Sequence, residues 1–164
     1  MYLSNDGTTR LLGLVPDQQK QRPEEIRVAF DNSAAIYDVR RKEFLGTGKD
    51  FQRKLTPSLP ELFAMVEKPV TGLSIQGANQ AQRGEKISFN FSIRGPSTLR
   101  SVATLRVIDP KGVQVGYYGG NLDVVDSAGS GVLQLALDDI PGTWQLEITD
   151  VISGASETLS VLLK

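Results

Sequence analysis

The sequence predicts an all-β protein of two modules, a small antiparallel β-domain followed by a β-sandwich. Three observations lead there. First, apolar residues recur with a period of two: Ile87, Phe89, Phe91 and Ile93 alternate with Ser88, Asn90 and Ser92, which turns one face of a strand toward a core and the other toward water. Second, turn signals return every ~8–12 residues, the spacing of a sandwich or barrel. Third, glycine is unevenly divided, with 4 of the 16 before residue 71 and the other 12 from Gly72 onward.

The first module reads as strands near 9–15, 25–31, 35–39, 42–45, 51–55 and 62–67, on alternations such as Ile26/Val28/Phe30. The stretch from Pro60 to Lys68 is ambiguous, because a proline in the first turn, an early acid and a late base also suit a short helix. Strand is favoured there. Lys68-Pro69-Val70-Thr71-Gly72 is the expected linker, since Pro69 cannot donate to a ladder and holds Lys68 extended. The expected domains are therefore 1–69 and 70–164. Some 70 residues make a marginal core, so the first module is expected to pack on the second or on further parts of a longer chain.

The second module shows the alternation repeatedly, in Leu99/Ser101/Ala103/Leu105/Val107, Leu133/Leu135/Leu137, Trp144/Leu146/Ile148 and Leu159/Val161/Leu163. Asp109-Pro110-Lys111-Gly112 has proline and glycine where a β-turn wants them. Asp138-Asp139-Ile140-Pro141-Gly142 separates two strands, Arg83-Gly84-Glu85 precedes another, and Ser153-Gly154 suits a two-residue hairpin connection.

Composition restricts the chemistry. With His 0 and Cys 0, the chain has no Ser-His-Asp or Cys-His nucleophile, no disulfide and no ordinary zinc site. Lys and Arg number 18 against 19 Asp and Glu, for a net charge of -1, so no footprint for nucleic acid appears. The two parts agree: residues 1–70 hold 11 basic and 10 acidic residues, and residues 71–164 hold 7 and 9. Arg40-Arg41-Lys42 is a short basic run and reads as a solvated turn. No apolar stretch approaches the ~20 residues that span a bilayer, and no basic start followed by an apolar segment marks a signal peptide. No membrane partner is expected. A chain without cysteine suits a reducing compartment and equally a disulfide-free module outside the cytoplasm.

Candidate sites are few. Asp138-Asp139 and Glu24-Glu25 are adjacent acids whose side chains diverge in an extended segment, whereas a glycosidase needs two carboxyls ~5–10 Å apart across a cleft. They read as turn and strand-entry residues. Asp123, Asp126, Asp138, Asp139 and Asp150 offer oxygen ligands, but no Asp-x-Asp-x-Asp-Gly loop occurs. No metal, cofactor or catalytic residue is expected. Gly129-Ser130-Gly131 lacks the following Lys-Ser/Thr and the helix of a phosphate loop. The most site-like segment is Tyr117-Tyr118-Gly119-Gly120-Asn121. On a strand the two tyrosines face opposite sides, one toward the core and one toward solvent, a polysaccharide or a neighbouring domain, and the glycines permit close approach. Tyr117, Tyr118 and Asn121 are the candidate binding residues.

Two stretches also carry a resemblance. Ile36-Tyr37-Asp38-Val39-Arg40, Phe44-Leu45-Gly46 and Pro60-Glu61-Leu62-Phe63-Ala64-Met65-Val66 resemble the small all-β domain behind the catalytic barrel of β-galactosidase-like and α-amylase-like glycoside hydrolases. Val107 to Val115 and Pro141-Gly142-Thr143-Trp144-Gln145-Leu146-Glu147-Ile148-Thr149-Asp150 resemble an immunoglobulin-like sandwich of the bacterial, fibronectin-III-like or macroglobulin type. In such folds Leu137, Gly142 and Trp144 fall at the corner that tethers a loop; Trp144 stands where tyrosine is usual, so an indole N–H or packing alone must hold that corner. The resemblance implies a non-catalytic C-terminal segment of a longer polypeptide, with the catalytic or neighbouring domains of that chain as partners. The alternative is a carbohydrate- or protein-binding module at a cell surface.

Overall fold

The computed structural model describes residues 2–3, 8–17 and 22–164. Apart from one 3₁₀ turn, the regular secondary structure of the described residues is all strand, and the protein is all-β. Two compact units divide the chain, Met1–Pro69 and Val70–Lys164.

The first unit is one antiparallel sheet of β1 (Tyr2–Leu3), β2 (Arg10–Leu14), β3 (Glu24–Asp38), β4 (Glu43–Leu55) and β5 (Glu61–Val66), in the order β1-β2-β5-β3-β4. The four short strands expected between 25 and 55 are in fact two long ones. Pairing runs through the polar stretch Asp31-Asn32-Ser33 by a register shift, from Ala29 opposite Asp50 to Ala34 opposite Gly48. Extra residues on one strand bend a hairpin, and here the bend folds it over. Phe51 pairs with Val28 in the far arm, yet its ring lies 4.7 Å from that of Phe63, which pairs with Asp38 in the near arm. A second shift follows Ile36, where Gly46 takes φ +124, a conformation closed to most side chains. The folded hairpin encloses Ala34, Ile36, Phe51, Phe63 and Met65, with Leu12, Leu14, Val28, Phe30 and Leu45 against them.

The ambiguous segment is strand β5. Its alternation is missing as well, since Phe63, Ala64, Met65 and Val66 are all buried: β5 lies between β2 and β3 and is covered on both faces. An apolar run without alternation does not distinguish strand from helix.

The second unit places β6 (Gly72–Gly77), β8 (Lys86–Arg94) and β11 (Ala128–Gln134) in one sheet, ordered β11-β8-β6. The other sheet contains β7 (Gln80–Ala81), β9 (Ser101–Ile108), β10 (Gly120–Val124), β12 (Gly142–Asp150) and β13 (Ser156–Leu163), ordered β10-β9-β12-β13-β7. With β6 and β7 as two halves of a first strand, this is an immunoglobulin-type sandwich, A-B-E against C′-C-F-G-A′. Its core is the set the alternation marks: Ile87, Phe89, Phe91 and Ile93 from β8, and Ala103, Leu105, Val107, Trp144, Leu146, Ile148, Val161 and Leu163 from the larger sheet.

Gly129 and Gly131 are strand residues that make room for aromatics. They pair with Phe91 and Phe89, and a β-carbon on either would lie 2.3 Å from the facing ring's Cζ. Three turn expectations need correcting. Leu137 does not continue the strand; β11 ends at Gln134 and Leu137 is 77% exposed, so Leu135 takes the core position. Ser153-Gly154 is no two-residue hairpin, since β12 ends at Asp150 and β13 begins at Ser156; the wider loop closes on Gly154, at φ +75, whose N–H meets the Asp150 carbonyl. Tyr117 and Tyr118 do not lie on a strand but in a single 3₁₀ turn, Gly116–Tyr118.

Because the core is packed to near crystal density, an added methyl has nowhere to go. Gly131→Ala is expected to destabilise the protein by about 1–3 kcal/mol, read as a lower urea midpoint at unchanged m-value. Gly120→Ala, whose β-carbon would meet nothing within 4 Å, should stay within about 0.5 kcal/mol of the parent.

Candidate functional site

The 3₁₀ turn brings the tyrosines together. Their ring centroids are 4.5 Å apart at 55°, so they rest on each other and do not diverge as strand neighbours would. Tyr117 is 79% exposed and Tyr118 is half-buried. Asn121 is exposed on β10 opposite Thr104. It alternates with Leu122, which faces Ala103 in the core, so it belongs to the outer face of the sheet and not to the tyrosine pair.

Tyr118 is fixed at both ends. Its hydroxyl donates to Asp139 Oδ2 at 2.5 Å and accepts the Ala136 N–H at 2.9 Å. That same N–H also donates to Asp139 Oδ2, at 2.7 Å. Its ring meets Trp144 edge-on at 6.0 Å. Trp144 in turn is buried, and its indole Nε1–H donates to the Ile140 carbonyl at 3.0 Å. The corner expected of this fold is therefore held by two aromatics: Trp144 donates within its own loop, and Tyr118 supplies the hydroxyl from the other side. Leu137, at 77% exposed, is not buried there. Burial raises the Tyr118 phenol to about 12, and the hydrogen bond to Asp139 adds to the rise. Asp138 stays exposed beside Asp139.

A second cluster, in the first unit, was missed by sequence reasoning. Asp38 and Glu61 are buried carboxylates, and two arginines lie between them. Arg53 donates through Nη2 to Asp38 Oδ2 at 2.7 Å and through Nε to Glu61 Oε2 at 2.7 Å. Arg41 Nη1 reaches Asp38 Oδ2 at 2.5 Å and Glu61 Oε1 at 3.2 Å, while the Arg41 N–H meets Asp38 Oδ1 at 3.0 Å. The result is a closed, charge-neutral box. Arg41 thus belongs to an ion network and not to a merely solvated turn. A signal for the box was present: Asp38 follows Ala34 and Ile36 on one face, Arg53 lies between Phe51 and Leu55, and Glu61 precedes Phe63 and Met65. Each is a charge on a core-facing position, and such charges come paired.

Among the described residues no group of three or more His, Cys, Asp or Glu is gathered as a metal site. A shallow depression of about 330 Å³ lies over the far arm of the β3–β4 hairpin, lined by Glu25, Ile26, Arg27, Gln52, Arg53 and Lys54. It contains none of the three candidate residues.

No protein-family profile matches the chain, and no curated protein matches it. Among solved structures, a likeness is found to the Arthrobacter globiformis T6 isomalto-dextranase complexed with panose, at 13% identity and a TM-score of 0.30, covering 93% of this chain and 31% of that one. The chain thus spans less than a third of that protein's length. At that TM-score the likeness bears no weight on fold or function.

Two outcomes are expected. Arg53→Ala leaves Asp38 and Glu61 with Arg41 as their one remaining guanidinium partner and should destabilise the protein in urea by at most about 3–5 kcal/mol, the cost of a broken buried pair; Lys in its place restores a charge but not the fork that bridges two acids, and should recover only part. The Tyr118 phenol, raised on folding from 10.0 to about 12, favours the neutral form in the folded state. Its contribution is present in full below pH 10.0 and is lost as pH rises through about 12. Tyrosinate absorbance should therefore include a step near pH 12 that Tyr118→Phe removes.

Proposed function

We propose that this chain is a non-catalytic accessory segment of a glycoside-hydrolase-like polypeptide, a pair of β-modules that supports a catalytic domain supplied by the same longer chain. The observation that carries the reading is the use made of buried acids. Asp38 and Glu61 are saturated by the guanidinium groups of Arg41 and Arg53. Asp150 accepts from the Ser101 hydroxyl at 3.1 Å, and from the Ser153 N–H and hydroxyl at 2.8 and 2.6 Å. Acid–base work on a glycoside needs two carboxyls free to face a substrate, and these three are taken up by the chain's own donors. The resemblance of 36–40, 44–46 and 60–66 to the small all-β domain of glycoside hydrolases supports the same reading, as do that of 107–115 and 141–150 to an immunoglobulin-like sandwich and the lack of histidine and cysteine.

The test is genetic and enzymatic together. The reading frame upstream of Met1 should continue into a catalytic module, and the isolated chain should not hydrolyse p-nitrophenyl glycosides of gluco, galacto or xylo configuration. Hydrolysis by the isolated chain that disappears in Asp138→Asn/Asp139→Asn would overturn the proposal. So would a parent gene with no catalytic module.

A further inference from the structure

Tyr117 presents a rigid, bare aromatic ring. One side rests on Tyr118, and Tyr118 is itself locked by Asp139, Ala136 and Trp144. The ring is 79% exposed, so its position owes nothing to burial of its own. Three glycines flank the pair, and they differ in kind. Gly119 is required by packing, because a β-carbon there would lie 2.7 Å from the Leu105 carbonyl oxygen. Gly116 and Gly120 are not: their β-carbons would meet nothing within 4 Å, and neither has a left-handed backbone. These two glycines are thus not demanded by packing, and they leave the backbone next to Tyr117 without side chains.

We propose that Tyr117 is a stacking platform for a single pyranose ring of a neutral glycan. The C–H face of a sugar fits an aromatic face, and the unadorned backbone at Gly116 and Gly120 lets a ring settle flat. Size argues against a protein partner: a stable interface needs about 800 Å² on each side with a buried apolar centre, and between residues 114 and 121 Tyr117 is the one strongly exposed large apolar side chain. Leu137, the other strongly exposed apolar side chain near the corner, leans over Gly84 instead, with Cδ2 2.9 Å from where a Gly84 β-carbon would be. Charge argues against stacking on a nucleobase, because residues 71–164 carry 7 basic and 9 acidic groups, the wrong balance for a polyanion. This site does not require the accessory role, and its test is separate.

The experiment is a ¹⁵N–¹H titration of the full chain with cellohexaose, maltohexaose and xylohexaose, each into the millimolar range. At least one should move the amides of Gly116 to Gly120 in a saturable way while the first unit stays still. Tyr117→Ala should weaken that binding by about tenfold or more, the loss of one aromatic contact. Tyr117→Phe keeps the ring and should bind within about twofold of the parent, a difference under 0.5 kcal/mol. Because the ring is exposed, the remaining amides of Tyr117→Ala should overlay those of the parent, which separates lost contact from lost fold. No saturable movement with any of the three sugars would overturn the proposal, as would movement that survives in Tyr117→Ala. Shifts of the same amides that depend on protein concentration without sugar would assign the ring to a second copy of the chain, and would overturn it too.

Discussion

A carboxylate taken out of water must be met by donors, and that constraint organises both units. Asp38 and Asp150 have no exposed surface and Glu61 almost none. Each stands at the end of a strand and is met by donors from another part of the chain. Asp38 and Glu61 are met by guanidinium groups, and Asp150 by serine hydroxyls and a backbone N–H. In the first unit the consequence is topological. Arg53 belongs to the far arm of the β3–β4 hairpin and its acids to the near end of β3 and the start of β5, so the ion pairs can form only once the hairpin has folded over. Apolar contact between Phe51 and Phe63 drives the closure, and the charges select which closure is allowed, since any other arrangement leaves a buried carboxylate alone.

The fold of the second unit was legible because its sheets each have one wet and one dry face. The period of two in β8, β9, β12 and β13 is then a direct record of burial. The first unit was harder, for a reason its structure makes plain. Its long strands cross from one local environment to another at the Ala29–Ala34 shift, so the polar residues at the bend look like a turn between separate strands. β5, covered on both faces, has no alternation to read. Leu137 misled in the opposite sense: it keeps the period of Leu133 and Leu135 after the strand has ended.

The candidate site was legible in composition but not in geometry. The tyrosine pair and its glycines mark a distinctive surface, yet a strand would have sent Tyr117 and Tyr118 to opposite faces. The 3₁₀ turn, closed by the Tyr118 N–H on the Val115 carbonyl and the Gly119 N–H on the Gly116 carbonyl, brings the rings together instead. The partner of Tyr118 lies 21 residues away at Asp139, and no local pattern encodes so distant a contact. The arginine box was hidden likewise: its members span 38 to 61, and only their shared core-facing register links them.

The division of the first strand of the sandwich has a mechanical consequence. The chain pairs β6 with β8 in one sheet, then crosses at Ala78-Asn79 so that β7 runs parallel to β13 in the other. Tension entering the second unit at Val70 and leaving at Lys164 pulls two parallel strands in opposite directions along their length. The Leu162 N–H to Asn79 carbonyl bond at 2.9 Å and the Lys164 N–H to Ala81 carbonyl bond at 3.0 Å are then loaded together, in shear, where a hairpin pulled from its open end would surrender them one after another. A module built in this way resists extension at its termini.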